Sequence, residues 1–269
     1  MNKKMRVAAL IKILSESPNR NFSLKYFCDT FKAAKSSISE DIQDAKDILA
    51  EMELGFIETI PGAGGGVRFI PYISDDEIRT LQEELCMRLS DGSRILGGGF
   101  LYSSDIMYDS YTMKRVATVF ARKFQNSGAD FVATIETKGI PLASMVSYLL
   151  NIPLVVIRRE SKISEGSTVS INYFSGSNDR IQKMSISKRA VTSGSKALII
   201  DDFMRGAGSV KGIQEILNEF DVDVVGTGIM MTSKEPEKKK IADYVPLLFL
   251  GDVDEEAKSI EILPNFQIF

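Results

Sequence analysis

The chain contains no histidine among its 269 residues, which removes Ser-His-Asp and Cys-His catalysis, histidine-ligated metals and any imidazole pH switch together. Chemistry, where it occurs, falls to carboxylates, lysines, hydroxyls and backbone amides. Cysteine is nearly as scarce: Cys28 and Cys86 are the two present, each inside a helical periodicity, so one chain builds neither a disulfide framework nor a four-thiolate zinc site. Both read as reduced core thiols, and no metal site is expected. No apolar run reaches the roughly 18 to 20 residues that span a bilayer. Lys3, Lys4 and Arg6 precede a short apolar stretch, but Lys12 interrupts it and Ser15-Glu16 end it without a small-residue cleavage pattern. The segment therefore reads as a helix of a mature cytoplasmic protein.

What remains is an ordinary globular composition, 44% hydrophobic and 26% charged, at a length that suits a small module joined to a larger α/β domain. The boundary is expected near Ser74, giving residues 1–74 and 75–269. The net charge of −3 argues against non-specific coating of nucleic acid. Its distribution is uneven, however. Residues 1–74 carry ten Lys and Arg against nine Asp and Glu, with bases dominating up to Lys35 and acids crowding after Ser39.

Val7, Leu10, Ile11 and Leu14 recur at i, i+3, i+4 and i+7, the apolar face of a helix that Pro18-Asn19 stop. Ser23 is placed to cap a second, short helix with Leu24, Phe27 and Phe31 inward. A basic connection, Lys32 to Lys35, leads to a third helix opened by Ser36, Ser37 and Ser39. There Ser37 and Glu40 have capping-box spacing, and Ile38, Ile42, Ala45, Leu49 and Met52 form an apolar stripe. Two β segments, 56–60 and 67–70, follow around a tip that runs Pro61-Gly62-Ala63-Gly64-Gly65-Gly66. Three helices and a glycine-tipped hairpin make a winged helix. In that geometry the first turn of the third helix, with Lys35, Ser36, Ser37 and Ser39, enters the major groove, while Gly65 and Gly66 let backbone approach phosphate beside Arg68. The acids farther along would face protein or solvent. Charge alone leaves open a second reading, a small helical module for association.

From Asp75 onward strands and helices alternate. Asp75-Asp76-Glu77 begin a new helix with Ile78, Leu81, Leu85 and Leu89 inward. Strands are expected at 131–135, 154–157, 197–200 and 222–230, with helices at 139–150 and 208–220. This is an α/β domain with a mainly parallel sheet flanked by helices, and it should bind ligands at the carboxyl ends of its strands. The sharpest signal is Ala197-Leu198-Ile199-Ile200-Asp201-Asp202-Phe203-Met204-Arg205-Gly206-Ala207-Gly208-Ser209, a buried strand ending in paired acids and a small-residue loop that opens a helix. It resembles the phosphoribosyl pyrophosphate (PRPP) motif of type I phosphoribosyltransferases. Adjacent carboxylates at a strand end accept hydrogen bonds from the 2′ and 3′ hydroxyls of a ribose. The N–H groups of residues 206–210, at a helix N-terminus, cradle its 5′-phosphate. The family loop usually reads Thr-Gly-Gly-Thr, whereas here it is Gly206-Ala207-Gly208-Ser209. The first hydroxyl is lost, Ser209 keeps the last and Arg205 adds charge. The bland alternative is that a hydrophobic strand, two acids and a small-residue loop make only a βα turn.

A second loop, Thr137-Lys138-Gly139-Ile140-Pro141, follows the 131–135 strand where these proteins place their pyrophosphate loop. Lys138 would meet a diphosphate and Gly139 would permit close backbone approach; the bland reading is a structural turn. Arg158-Arg159-Glu160-Ser161-Lys162 and the polar run 164–188 fit a flexible hairpin that closes over such a ligand, or a solvated β-hairpin.

Taken over nearly its whole length, the chain resembles the purine operon repressors of Gram-positive bacteria. The resemblance rests on Ala34-Lys35-Ser36-Ser37-Ile38-Ser39-Glu40-Asp41, on residues 137–143 and 199–204, and on Glu165-Gly166-Ser167-Thr168-Val169-Ser170-Ile171-Asn172-Tyr173. It implies a homodimeric repressor of purine biosynthesis and transport genes, with an N-terminal winged helix on operator DNA and a transferase-like sensor domain without transferase activity. It also implies PRPP, with Mg²⁺, as the signal that releases the operator, and guanosine tetra- or pentaphosphate as a competitor for the same pocket. Tyr102 and Phe203 are the expected stacking partners of such a base, and Arg158 is expected among the effector-binding residues. The competing reading is an active purine phosphoribosyltransferase with an accessory N-terminal domain. An RNA-binding regulator is disfavoured, since no aromatic-rich β platform is evident.

Overall fold

The computed structural model describes residues 1–62, 64–98, 100–160, 163, 166–174 and 181–269. The chain divides into two compact units, residues 1–75 with 148–151, and residues 76–147 with 152–269.

The first unit holds α1 (Lys3–Ser15), α2 (Leu24–Phe31) and α3 (Lys35–Glu51), then β1 (Phe56–Ile60) and β2 (Gly66–Ile70), which pair antiparallel with Glu58 opposite Arg68. Asn2 and Ser23 cap α1 and α2 by accepting from the N–H groups of Met5 and Tyr26, and Lys32, left-handed at φ 52°, ends α2. The expected capping box on α3 does not form. The helix already begins at Lys35, its N-cap is Ala34 without a side-chain bond, and Ser37 lies within the first turn. The apolar faces of the three helices meet through Leu10, Leu14, Phe27, Phe31, Ile38 and Ala45, sealed by Ile57, Val67 and Phe69 of the hairpin. Met52 falls outside that stripe: the helix ends at Glu51, and Met52 is 63% exposed.

The second unit opens with α4 (Asp75–Leu89), a short ribbon of β3 (Ile95–Leu96) and β4 (Phe100–Leu101), α5 (Ser104–Met107) and α6 (Ser110–Phe124). It continues through β5 (Phe131–Ile135), α7 (Ile140–Leu150), β6 (Leu154–Ile157), and the hairpin strands β7 (Thr168–Phe174) and β8 (Ile181–Ser187). It closes with β9 (Lys196–Met204), α8 (Gly208–Asn218), β10 (Asp223–Ser233), β11 (Val245–Asp254) and β12 (Ser259–Pro264). The main sheet has the order β12-β11-β10-β9-β5-β6, parallel except for β12. The chain winds from β5 outward to β6 and from β9 outward to β10, so strand order reverses between β5 and β9. A crevice opens at the carboxyl ends of strands at such a switch point.

Alternation along β9 buries both faces of the sheet. Ala197 and Ile199 pack in the cluster that holds Val210, Ile213, Ile216 and Leu217 of α8. On the other side Phe120 and Phe124 of α6 press on Gly226 and Gly228, where an added Cβ would lie 2.7 to 2.8 Å from their rings. β9 extends farther than its apolar run suggests. β10 stays paired with it to Thr232, placing Asp201 opposite Ile229 and Phe203 opposite Met231, so the acid pair sits inside the ladder rather than beyond it.

Candidate functional site

A cavity of about 480 Å³ opens where β5 and β9 end. Asp201, Asp202, Phe203 and residues 205–209 line it from one side, and Thr137 and Lys138 from the other. Leu89, Met107, Met230, Met231 and Leu250 form an apolar wall. Ten of the residues singled out for effector binding thus converge on one space.

The loop after β9 is built to present amides. Met204 O is held by the Thr232 hydroxyl at 3.0 Å. Ala207 is the left-handed N-cap of α8, φ 63° and ψ 21°, and the first backbone bond back to it is Lys211 N–H to Ala207 O at 3.0 Å. The N–H groups of the preceding turn have no intrahelical acceptor and lie at the positive end of the helix dipole. A left-handed residue before a helical turn makes the concave amide arrangement that takes an anion. Ser209 adds a hydroxyl, and Arg205 a charge, at the same rim.

Asp201 is 3% exposed, and the Asp202 N–H donates to its Oδ1 at 3.0 Å. Burial first, and the neighbouring Asp202 charge second, hold its pKa well above the usual carboxylate range. Burial also raises Asp202, opposed by its hydrogen bond with Asp201 and by the charge of Lys138. Two adjacent carboxyls whose charged form is disfavoured by burial are poised for partners that favour that form, either ribose hydroxyls or a cation.

Gly139 does not line the cavity. A Cβ there would lie 2.4 Å from Asp201 Oδ1 and 2.5 Å from Thr134 Oγ1, so the glycine makes room for the protein's own acid rather than for ligand. Thr134 is fully buried, and its hydroxyl has no hydrogen-bond partner among the described residues.

Arg158 also turns away from the cavity. Its guanidinium pairs with Glu136 at 3.4 Å and its backbone bridges Ser185, while the next residue, Arg159, lines the cavity and donates its N–H to Glu136 Oε1 at 2.7 Å. Tyr102 is 46% exposed and absent from the lining, where Phe100, Leu101 and Ser103 stand instead. Phe203 does face the cavity, 37% exposed at its rim. Gln182 of the β7–β8 hairpin lines it too, accepting from the Tyr173 hydroxyl at 2.7 Å. The covering role expected of 158–188 rests partly on Ser161, Lys162, Ser164, Glu165 and 175–180, which lie outside the described residues. Glu136 was missed by sequence reading, whereas Arg159 and Gln182 lay within the segments expected to close over a ligand but were not singled out there.

On the first unit, Lys35, Ser36 and Ser39 are exposed on the opening turn of α3 and Ser37 is half-buried. The Ser39 hydroxyl bonds back to Lys35 O at 3.0 Å. The acids that follow are partly withdrawn. Asp41 is fully buried in a two-point clamp from Arg6, Nε to Oδ2 at 2.6 Å and Nη2 to Oδ1 at 3.1 Å, and Asp44 pairs with Lys3 at 3.0 Å. Glu40 and Asp47 remain exposed. Arg68 is not free beside the tip but paired across the hairpin with Glu58 at 2.6 Å. Gly65 and Gly66 close the hairpin: an added Cβ would lie 2.2 Å from Ile60 O and 2.1 Å from Phe22 O, respectively. Asn21, which sequence reading passed over, braces the tip by donating to Gly64 O at 3.0 Å. Ala63 of the tip lies outside the described residues.

Two further observations concern the chain as a whole. No helix among the described residues is long and apolar enough to cross a membrane. No group of three or more His, Cys, Asp or Glu converges on a metal-sized space among the described residues.

Residues 2–71 match the family described as bacterial purine repressor, N-terminal, and residues 107–262 match the phosphoribosyl transferase domain. The probable purine biosynthesis transcriptional regulator PurR of Streptococcus pneumoniae is 41% identical over 96% of this chain and 94% of its own length. The purine biosynthesis transcriptional repressor PurR of Bacillus subtilis is 39% identical over 96% and 90%. The purine biosynthesis transcriptional activator PurR of Lactococcus lactis is 36% identical over 97% of both chains. Among solved structures, adenine phosphoribosyltransferase from Thermoanaerobacter pseudethanolicus superposes with a TM-score of 0.54 at 18% identity, covering 63% of this chain and 99% of that one. It shares the fold of the second unit. Matched from end to end at these identities, with a repressor-type N-terminal unit joined to a phosphoribosyltransferase-type fold, the chain belongs to the family of purine biosynthesis transcriptional regulators.

Proposed function

We propose that this chain is a cytoplasmic, homodimeric repressor of purine biosynthesis and transport genes whose cavity senses PRPP and thereby releases operator DNA. The observation that carries the reading is the assembly of a buried acid pair, an amide-presenting loop and Lys138 around one cavity in a chain whose full-length relatives are named as regulators. The acids take the ribose hydroxyls, residues 206–210 take the 5′-phosphate, and Lys138 with Arg159 takes the diphosphate. The carboxylates also suit Mg²⁺ brought by the ligand, since that ion is commonly held by one or two carboxylates plus ligand phosphates. It would neutralise diphosphate charge beside Asp201 and Asp202. Guanosine tetra- or pentaphosphate would compete for the same loops, with its base against Phe203 and the apolar wall.

Operator DNA is met by the first turn of α3, through Lys35, Ser36 and Ser39, while the hairpin tip follows the backbone. A dimer would read two half-sites related by the same two-fold axis. PRPP accumulates when purine demand is unmet, so a repressor that binds it better off DNA than on DNA releases its genes at that moment. A coupling of about 1–3 kcal/mol changes operator affinity roughly 5- to 150-fold. The loop departs from the transferase pattern where a hydroxyl is replaced by Gly206, which favours a sensor over a catalyst.

The test is a gel-shift titration on a purine promoter, at fixed salt, with and without PRPP and Mg²⁺. Loss of operator occupancy with PRPP is expected; an occupancy indifferent to PRPP overturns the sensor. The second reading, an active purine phosphoribosyltransferase, draws on the enzyme-like cavity and fold. Pyrophosphate release with adenine, guanine, hypoxanthine or xanthine at ordinary enzyme rates would establish it.

A further inference from the structure

The run Lys234-Glu235-Pro236-Glu237-Lys238-Lys239-Lys240 leaves the end of β10, and every residue in it but Pro236 is charged. One of its lysines points inward. Lys239 Nζ donates to the carbonyls of Ser233 and Pro236, both at 2.6 Å, with Lys234 O at 3.4 Å. Burial holds its pKa below the ordinary lysine value; the Glu235 charge opposes this and the Arg205 charge adds to it. A compact ammonium with three donors suits a turn whose carbonyls converge, so Lys239 pins the turn to the strand it leaves.

The next residue carries this to the cavity. Lys240 N–H donates to Gly206 O at 3.2 Å. Across a trans, planar peptide the C=O and the following N–H point in opposite directions. A Gly206 carbonyl turned toward Lys240 therefore sends the Ala207 N–H the other way, and both residues line the cavity. We propose that the 234–240 turn, clipped by Lys239, aims the Gly206–Ala207 peptide at the anionic ligand, which makes Lys239 and Lys240 positioning residues of the phosphate loop. The inference rests on the cavity being a sugar-phosphate site, as argued above.

Calorimetric titration of the full chain with ribose 5-phosphate provides the test, using wild type, Lys239→Met, Lys240→Pro and the double variant. Lys240→Pro deletes the N–H that holds Gly206 O. Each single change is expected to weaken ribose 5-phosphate about tenfold, the scale of one supporting hydrogen bond. The double change should be no worse than either, because both act through one peptide. The Ala207 amide proton reports directly: it should move downfield when ribose 5-phosphate is added to wild type, and stay put in both variants. Variants that melt earlier yet bind as wild type show a merely structural turn and overturn the proposal, as do effects that multiply in the double variant. No uptake by wild type removes the site itself, and the inference with it.

Discussion

Burial and a charged neighbour hold the Asp201 carboxyl above its ordinary pKa, and that places a cost on the fold at neutral pH. In the window between the unfolded carboxylate value and the raised one, the folded chain keeps a proton that the unfolded chain releases. Stability therefore falls as pH rises through that window, the reverse of a salt-bridged aspartate. Asp201→Asn should raise the thermal midpoint of the ligand-free protein at pH 7, by about 2 to 4 °C for each kcal/mol relieved, while removing ribose-phosphate binding. Differential scanning calorimetry at pH 5 and pH 7 checks this, and a midpoint that drops at pH 7 would contradict it. Gly139→Ala should act in the opposite sense. Its methyl meets Asp201 Oδ1 and Thr134 Oγ1, so denaturant unfolding should show a loss of about 1–3 kcal/mol, accompanied by weaker ligand uptake. At this scale the sequence showed which residue types the site needs but not which way each side chain turns. Asp201, Asp202 and the 205–209 loop follow from adjacency to a buried strand end. Choosing Arg159 over Arg158 depends on the bridge that ties Arg158 to Ser185, and Phe100 over Tyr102 on a ribbon of two-residue strands, neither of which composition reveals.

α3 would join recognition to stability, because the helix proposed to meet DNA is also the one clamped from within by Arg6 on Asp41. Ser37→Glu puts a negative charge on the first turn, beside Lys35 and the exposed Ser36. It should abolish operator binding in a gel shift while leaving PRPP affinity intact, and equal loss of both would mean that the DNA site lies elsewhere. Arg6→Met strands a buried carboxylate and should cost about 3 kcal/mol in unfolding of the first unit. Most elements were legible where a period was clean: the three N-terminal helices, the hairpin, α4, α7, α8 and the strands β5, β6, β9 and β10. α6 was not singled out, although Lys114, Arg115, Arg122 and Lys123 mark a polar face and Met113, Val116, Phe120 and Phe124 a buried one. β11 and β12 escaped as well. β12 is an edge strand and β11 its neighbour, and their alternation is interrupted, with a register shift between Leu250 and Val253. Helix starts were read by side-chain chemistry, which misplaced the opening of α3 because Ala34 caps it without a side-chain bond.

For the whole molecule the testable quantity is a coupling between operator and ligand, and coupling is reciprocal. Operator DNA should weaken PRPP by the same factor by which PRPP weakens the operator, measurable by titrating PRPP into free and DNA-bound protein at one salt concentration. Asp202→Ala should bind operator normally and ignore PRPP; a retained response would remove the acid pair from the sensing role. Salt must be fixed throughout, since phosphate contacts make operator affinity fall steeply with ionic strength. One feature of the proposed sensor bears on its speed. Ala207 holds the left-handed twist at the mouth of α8, braced by bonds within the fold from Lys211 N–H to Ala207 O and from Lys240 N–H to Gly206 O. A loop whose shape is set by the fold's own bonds spends little time reorganising when a ligand arrives, so stopped-flow traces should be single exponentials whose rate climbs linearly with metabolite concentration. Gene expression could then follow the nucleotide precursor pool with the lag of diffusion and dissociation rather than that of refolding.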